Sequence, residues 1–326
     1  MKLKKEYLLL LLSIAILSVY LVMRSKDHTH FELPQLPGIE SQKINRLVIT
    51  KGDGIIEITK RDDHWVVGPK SYPADDTKVK NMLKAAADLN ITALVSESGN
   101  YERYDLTDDK KIMVQAYADK EVLRNFAIGR QAPTNQHTFV RLADDPKVYH
   151  ARGTINFTFD HTVDELRDET VLAFEKSDIS GLTIARGKRT LTLVKKEMVQ
   201  EKKDQDQSED KKAQQPPQTQ TQWTDAAGNA ASNADVERLI GDFYRLKCDD
   251  FLEDDAREGL KEPLWTVTFN SEKTNHALSV FEKQTTESIE FPAISSGTAY
   301  AFILHKSRVE GFEKLLDKLL DLKIKK

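Results

Sequence analysis

One pattern occurs twice in this chain, and a duplication of this size limits the fold more than any single motif does. Residues 44–67 read INRLVITKGDGIIEITKRDDHWVV, and residues 179–197 read ISGLTIARGKRTLTLVKKE, with Trp223 standing later where Trp65 stands in the first copy. A helix-like segment follows each: PADDTKVKNMLKAAADL at 73–89 and SNADVERLIGDFYRL at 232–246. Tyr104-Asp105-Leu106 then matches Gly259-Leu260, and each leads into an alternating run.

Alternating β-branched residues around Gly/Asp turns predict hairpins. These are 44–51 with 54–60 around Gly52-Asp53-Gly54, and 179–186 with 189–196 around Arg186-Gly187-Lys188. Trp65-Val66-Val67 reads as a third strand. The spacing predicts a helix over 75–89 with Val79, Met82, Leu83, Ala86 and Leu89 on one face and Asp75 or Asp76 as its N-cap. Strands are expected at 111–118, 121–129, 137–142 and 147–151, and a helical stretch at 161–174. In the second copy a helix over 234–247 turns Val236, Leu239, Ile240, Phe243 and Leu246 inward. Strands follow at 264–270, 276–282 and 298–304, and a closing helix over 307–322 buries Val309, Phe312, Leu315, Leu316 and Leu319.

The expected fold class is α+β: two tandem similar lobes, each an antiparallel sheet with helices packed on one face, after one N-terminal transmembrane helix. The expected domains are an anchor at 1–26, a tether at 27–43, a first lobe at 44–175 and a second at 176–324. Corresponding residues are offset by 135 at Ile44/Ile179 and by 160 at Asp75/Asp235, so the second copy holds an insertion. It is residues 198–221, MVQEKKDQDQSEDKKAQQPPQTQT, whose composition predicts disorder. Because Trp223 corresponds to Trp65, the insertion reads as a hairpin loop grown long, which loop-closure entropy tolerates.

The N-terminus sets the expected location. Met1-Lys2-Leu3-Lys4-Lys5 is basic, Tyr7 to Met23 is uncharged with eleven Leu, Ile or Val residues, and Arg24 and Lys26 close the segment. As a helix it would reach about 25 Å at ~1.5 Å per residue, slightly short of a ~30 Å hydrocarbon core. The exit Ser-Val-Tyr-Leu-Val-Met-Arg is no small-x-small cleavage site, and the single cysteine, Cys248, is too distant to be a lipid-anchor residue. The flanking lysines predict a cytoplasmic N-terminus, and in a bacterium a single-pass inner-membrane protein with its C-terminal part in the periplasm. With 48 basic against 52 acidic residues the chain has no nucleic-acid footprint, and one cysteine excludes an intramolecular disulfide framework.

The residues that could carry chemistry each have a simpler use. Asp75, Asp76 and Asp235 could be acids, but helix capping needs carboxylates there without any partner. Asp249, Asp250, Glu253, Asp254, Asp255 and Glu258 lack the spacing of a calcium loop and read as a solvated face. His28 and His30 belong to the tether, and His64, His137, His150 and His161 show no metal-ligand spacing. Cys248 has no sequence-local base, and Trp65, Trp223 and Trp265 read as packing between sheet and helix. Neither a nucleophile elbow, a Walker loop nor a dinucleotide fingerprint occurs. No residue is therefore assigned as catalytic, cofactor-binding or metal-binding, and no cofactor is expected.

The hairpin followed by a Trp strand, Pro73-Ala74-Asp75 opening a helix, and Gly259-Leu260-Lys261-Glu262-Pro263 together resemble the domain-of-unknown-function 4340 family. Ile128-Gly129 followed by Thr138-Phe139-Val140-Arg141-Leu142 is similar as well; Tyr104-Asp105-Leu106 departs, lacking both the Gly and the Pro. The resemblance implies a membrane-tethered envelope protein associated with ABC-type transport systems, and it brings no catalytic residues. The expected function is a non-enzymatic accessory or scaffold subunit of such a complex, with ABC-type subunits and the membrane as partners. The alternative is a periplasmic binding module holding a small molecule or glycan between the lobes.

Overall fold

Two antiparallel sheets organise the chain. The computed structural model describes residues 12–21, 32–199, 219–283 and 288–321. The chain divides into two units, Met1–Arg167 and Asp168–Lys326.

The first element is a helix, α1, over residues 12–21. In the first unit the strands are β1 (Arg46–Lys51), β2 (Gly54–Arg61), β3 (His64–Val67) and β4 (Tyr72–Pro73). After helix α2 (Asp76–Ala87) come β5 (Ile91–Ser96), β6 (Ile112–Ala118), β7 (Glu121–Gln131), β8 (His137–Leu142) and β9 (Val148–Arg152), then the one-turn helix α3 (Asn156–Phe159). The sheet order is β4-β3-β2-β1-β6-β7-β8-β9-β5. Lys51 pairs with Gly54, leaving a two-residue loop whose first residue, Gly52, has a positive φ of 56°, as a II′-type hairpin asks.

Side-chain alternation gives this sheet two buried faces. Phe126 and Ile128 of β7 face α2 and α3, and Phe126 meets Phe159 of α3 edge-on at 6.1 Å. α2 turns Val79, Met82, Leu83 and Ala86 inward. The buried Arg124 guanidinium reaches the end of that helix and donates to the carbonyls of Ala86, Ala87 and Pro37 at 3.4, 3.4 and 2.8 Å. It thereby satisfies acceptors that every helix C-terminus leaves over. On the other face, Ala127, Phe139 and Val148 form a second, smaller core with Leu106 and Ala132, against which Tyr101 and Tyr104 pack.

In the second unit, β10 (Thr170–Ala173), β11 (Ile179–Arg186), β12 (Arg189–Val199) and β13 (Thr219–Asp225) precede helix α4 (Asn233–Phe243). They are followed by β14 (Arg245–Lys247), β15 (Asp250–Phe251), the one-turn helix α5 (Ala256–Gly259), β16 (Pro263–Ser271), β17 (Asn275–Phe281), β18 (Glu290–Ser295), β19 (Phe302–His305) and helix α6 (Lys306–Leu320). The large sheet runs β13-β12-β11-β16-β17-β18-β19-β15, and β10 pairs separately with β14. Strand for strand, this is the order β3-β2-β1-β6-β7-β8-β9-β5 of the first unit. Trp223 pairs with Lys195 as Trp65 pairs with Lys60. One continuous core joins the sheet to α4 and α6 through Trp223, Trp265, Phe269, Phe243 and Phe312.

The α+β expectation is corrected by this architecture. Among the described residues strand accounts for 42% and helix for 26%, so sheet dominates. The reason is that only three helices of more than one turn pack on sheets nine and eight strands wide. In the first unit a short 3-10 turn, Tyr101–Tyr104, and the residues up to Leu106, rather than an α-helix, bury the second face. The transmembrane helix expected ahead of the lobes is corrected too. Helix α1 covers ten residues, about 15 Å at ~1.5 Å per residue and half of a ~30 Å hydrocarbon core. No helix among the described residues is long and apolar enough to cross a membrane. Residues 7–11 and 22–23 of the expected segment lie outside the described residues, as do 200–218 of the expected insertion, whose flanks are strand in β12 and β13.

Local expectations also shift. The helical stretch expected at 161–174 is a short 3-10 turn, Asp164–Leu166, followed by β10. β10 pairs with β14, which also ends α4 at Phe243 rather than at 247. Strand pairing here overrides helical periodicity. The expected strand at 298–304 is instead β19, Phe302–His305, and it pairs with β18, Glu290–Ser295, a strand not expected and one that contains Pro292.

Candidate functional site

The carboxylates singled out in the sequence serve helices and turns. Asp75 caps α2, accepting from the backbone N–H of Thr77 at 2.8 Å and of Lys78 at 3.0 Å. Asp76 lies in the first turn. Asp235 is not the cap of α4; Ser232 is, accepting from the Asp235 N–H. The Asp235 carboxylate instead takes a hydrogen bond from the Lys318 ammonium at 2.7 Å, and that bond is the main reason its pKa lies below the usual carboxylate value. In the acidic run after Cys248, Asp249 accepts from the backbone N–H of His305 at 2.8 Å and from Arg308 at 3.2 Å, tying the run to the start of α6.

Cys248 is buried at 4% exposure in the core of the second unit. Trp65, Trp223 and Trp265 are all buried. Trp265 meets Phe312 edge-on at 6.3 Å, and Phe243 at 6.5 Å. Among the described residues no group of three His, Cys, Asp or Glu side chains is placed to hold a metal ion.

Of His64, His137, His150 and His161, two come together. The His137 and His150 rings stack with centroids 5.3 Å apart and planes 25° from parallel. Strand register does this: His137, Phe139 and Arg141 alternate onto one face of β8, and Phe139 pairs with His150 of β9. His150 also packs on Phe139 at 5.0 Å, and Phe139 on Tyr104 at 4.8 Å. The Arg130 guanidinium lies 5.4 Å above the Phe139 ring, and Arg141 lies 4.8 Å above Tyr101. Tyr101 donates its hydroxyl to the Pro146 carbonyl at 3.0 Å. The result is an aromatic and cationic platform on the second face of the first sheet, half-buried at His137 and His150 and open at Arg130. Burial first, and then the neighbouring His137, hold the His150 imidazole below its usual pKa.

This platform can stack and pair charge. It has no nucleophile held by a base, and its aromatic rings are fastened to one another. His64 sits at the exposed start of β3, and His161 lies 3.6 Å from Glu165, so neither joins it. The sequence carried the signal for the histidine stack in the alternation of 137–141 opposite 148–152, but only the register of the turn between them brings the two rings together.

These features define a protein of two antiparallel-sheet units whose chemistry-bearing side chains are mostly spent on caps, cores and ion pairs. The chain belongs to the family described as Domain of unknown function (DUF4340), whose profile matches residues 65–263. Comparison with curated proteins and with solved structures gave no match.

Proposed function

We propose that this protein is a non-enzymatic accessory module of an ABC-type envelope transport system, working at the extracytoplasmic face of a bacterial inner membrane. The observation that carries the reading is the surface of α1. Leu12, Ile14, Ile16, Leu17, Val19, Tyr20 and Leu21 are between 52% and 62% exposed, a largely apolar surface interrupted by Ser13 and Ser18. Exposed apolar side chains at this density favour contact with a membrane surface or a partner over water. The structural employment of Asp75, Asp235, Cys248 and the three tryptophans supports a role in contact rather than in chemistry. The association with ABC-type subunits comes from the family resemblance alone.

Fractionation of cells followed by mild-detergent affinity purification of the full chain tests the proposal. The protein is expected in the membrane fraction, accompanied by a transporter ATPase and its permease in stoichiometric yield. Recovery from the soluble fraction, or as an isolated species from the membrane, would overturn it.

A further inference from the structure

In the second unit, α4 and α6 lie side by side, with Phe243 and Phe312 in contact at 4.5 Å. Beside this contact a groove of about 470 Å³ opens to solvent. Four cationic side chains line it: Arg238 from α4, Arg245 and Lys247 from β14, and Arg308 from α6. The carboxylate among the lining residues is Asp242, 4.0 Å from Arg238. Lys247 reaches Glu169 at 3.7 Å, and Arg308 reaches Asp249 at 3.2 Å. The Arg245 side chain has no hydrogen-bond or ion-pair partner among the described residues. The groove meets the first turn of α6 at Ser307; that turn carries no acidic residue of its own, and Asp249 binds the backbone N–H of His305 beside it.

A second observation is independent of charge. Gly311 lines the same groove from the interior of α6. Glycine inside a helix costs stability relative to alanine, so it needs a reason. Its backbone is ordinary helix, and a Cβ placed there would meet nothing within 4 Å. Neither packing nor conformation requires glycine here. What its missing side chain does is keep one wall of the groove low, so that a bound group can approach the helix backbone.

We propose that this groove binds a phosphate-bearing ligand, either a free phosphoester or the headgroup of an anionic phospholipid. Arg238, Lys247 and Arg308 each have one carboxylate partner, Asp242, Glu169 and Asp249, so the Arg245 guanidinium is the fork left for an oxyanion that carries more than one acceptor oxygen. The volume exceeds that of a bare ion and suits a small organic phosphate. The buried ring of Phe312 at the groove wall gives the organic part an apolar contact. The proposal does not rest on the transport reading, and its test does not involve a partner protein.

The test uses the full chain in a neutral detergent, titrated in one arm with glycerol 3-phosphate and in the other with neutral micelles doped with phosphatidylglycerol. Calorimetry and thermal shift report binding. A saturable response in either arm, weakened at least about tenfold by Arg245→Gln, is expected. Arg245 is exposed, so that variant keeps its fold. Gly311→Ala is expected to raise the melting temperature and yet weaken binding, a combination that a merely structural glycine would not give. A response in the micelle arm alone identifies the headgroup as the ligand, and one in the glycerol phosphate arm a soluble ester. No saturable response in either arm, or one that Arg245→Gln leaves unchanged, overturns the proposal.

Discussion

A Cβ on Gly129 would lie 2.0 Å from the carbonyl oxygen of Tyr104, closer than any real contact allows. The segment that covers the second face of the first sheet can therefore rest on β7 only because residue 129 is glycine. Gly297 plays a similar part in the second unit, where an added Cβ would lie 2.6 Å from the carbonyl oxygen of Val171 in β10.

Gly129→Ala should accordingly lift the 101–106 segment off the sheet. Overpacking of this kind costs about 1–3 kcal/mol. Hydrogen exchange by mass spectrometry should show faster exchange in 101–106 and in β7, while peptides of the second unit stay unchanged. Gly38→Ala, where nothing lies within 4 Å, is the control. Unchanged exchange at β7 would refute the close approach.

Arg124→Met keeps much of the side-chain volume but leaves the carbonyls of Ala86, Ala87 and Pro37 without their donor. Hydrogen bonds from a charged group are worth about 1.5–3 kcal/mol, so the first unit should lose stability on that scale. Chemical denaturation followed at Trp65 checks this, with a midpoint equal to wild type as the contrary outcome.

Asp75→Ala removes the side-chain acceptor for two N–H groups of α2 and should cost about 1 kcal/mol. Asp76→Ala, in the first turn without a capping bond, should cost clearly less. Equal effects in paired denaturation curves would show that charge near the helix end, rather than capping, is what matters.

The histidine stack makes the first unit sensitive to acid. His150 has a folded pKa below its unfolded value, so the unfolded chain takes up the proton first. Stability from the neutral imidazole is complete above the unfolded pKa of about 6.5 and is lost as pH falls through that value toward the folded pKa. His150→Gln should flatten this part of the pH–stability profile, and NMR titration should find the His150 ring protonating below the ordinary imidazole value. A His150 that titrates at or above the free value would contradict the burial argument.

What the sequence determined by itself was local. The hairpin turns at Gly52 and Gly187, the inward stripes of α2, α4 and α6, the cap at Asp75 and the Trp65/Trp223 equivalence all follow from periodicities and turn chemistry within a few residues. Tertiary structure decided what depends on distant partners. Thr170–Ala173 became a strand because Arg245–Lys247 was there to pair with it, and the second face of the first sheet was buried by a 3-10 turn too short to show a periodicity. The His137–His150 stack and the cationic groove around Arg245 each gather residues from separate segments. Backbone propensity sees only near neighbours, whereas register and burial are settled by strands that meet after long stretches of chain, and so the balance between sheet and helix could be fixed only in the folded protein.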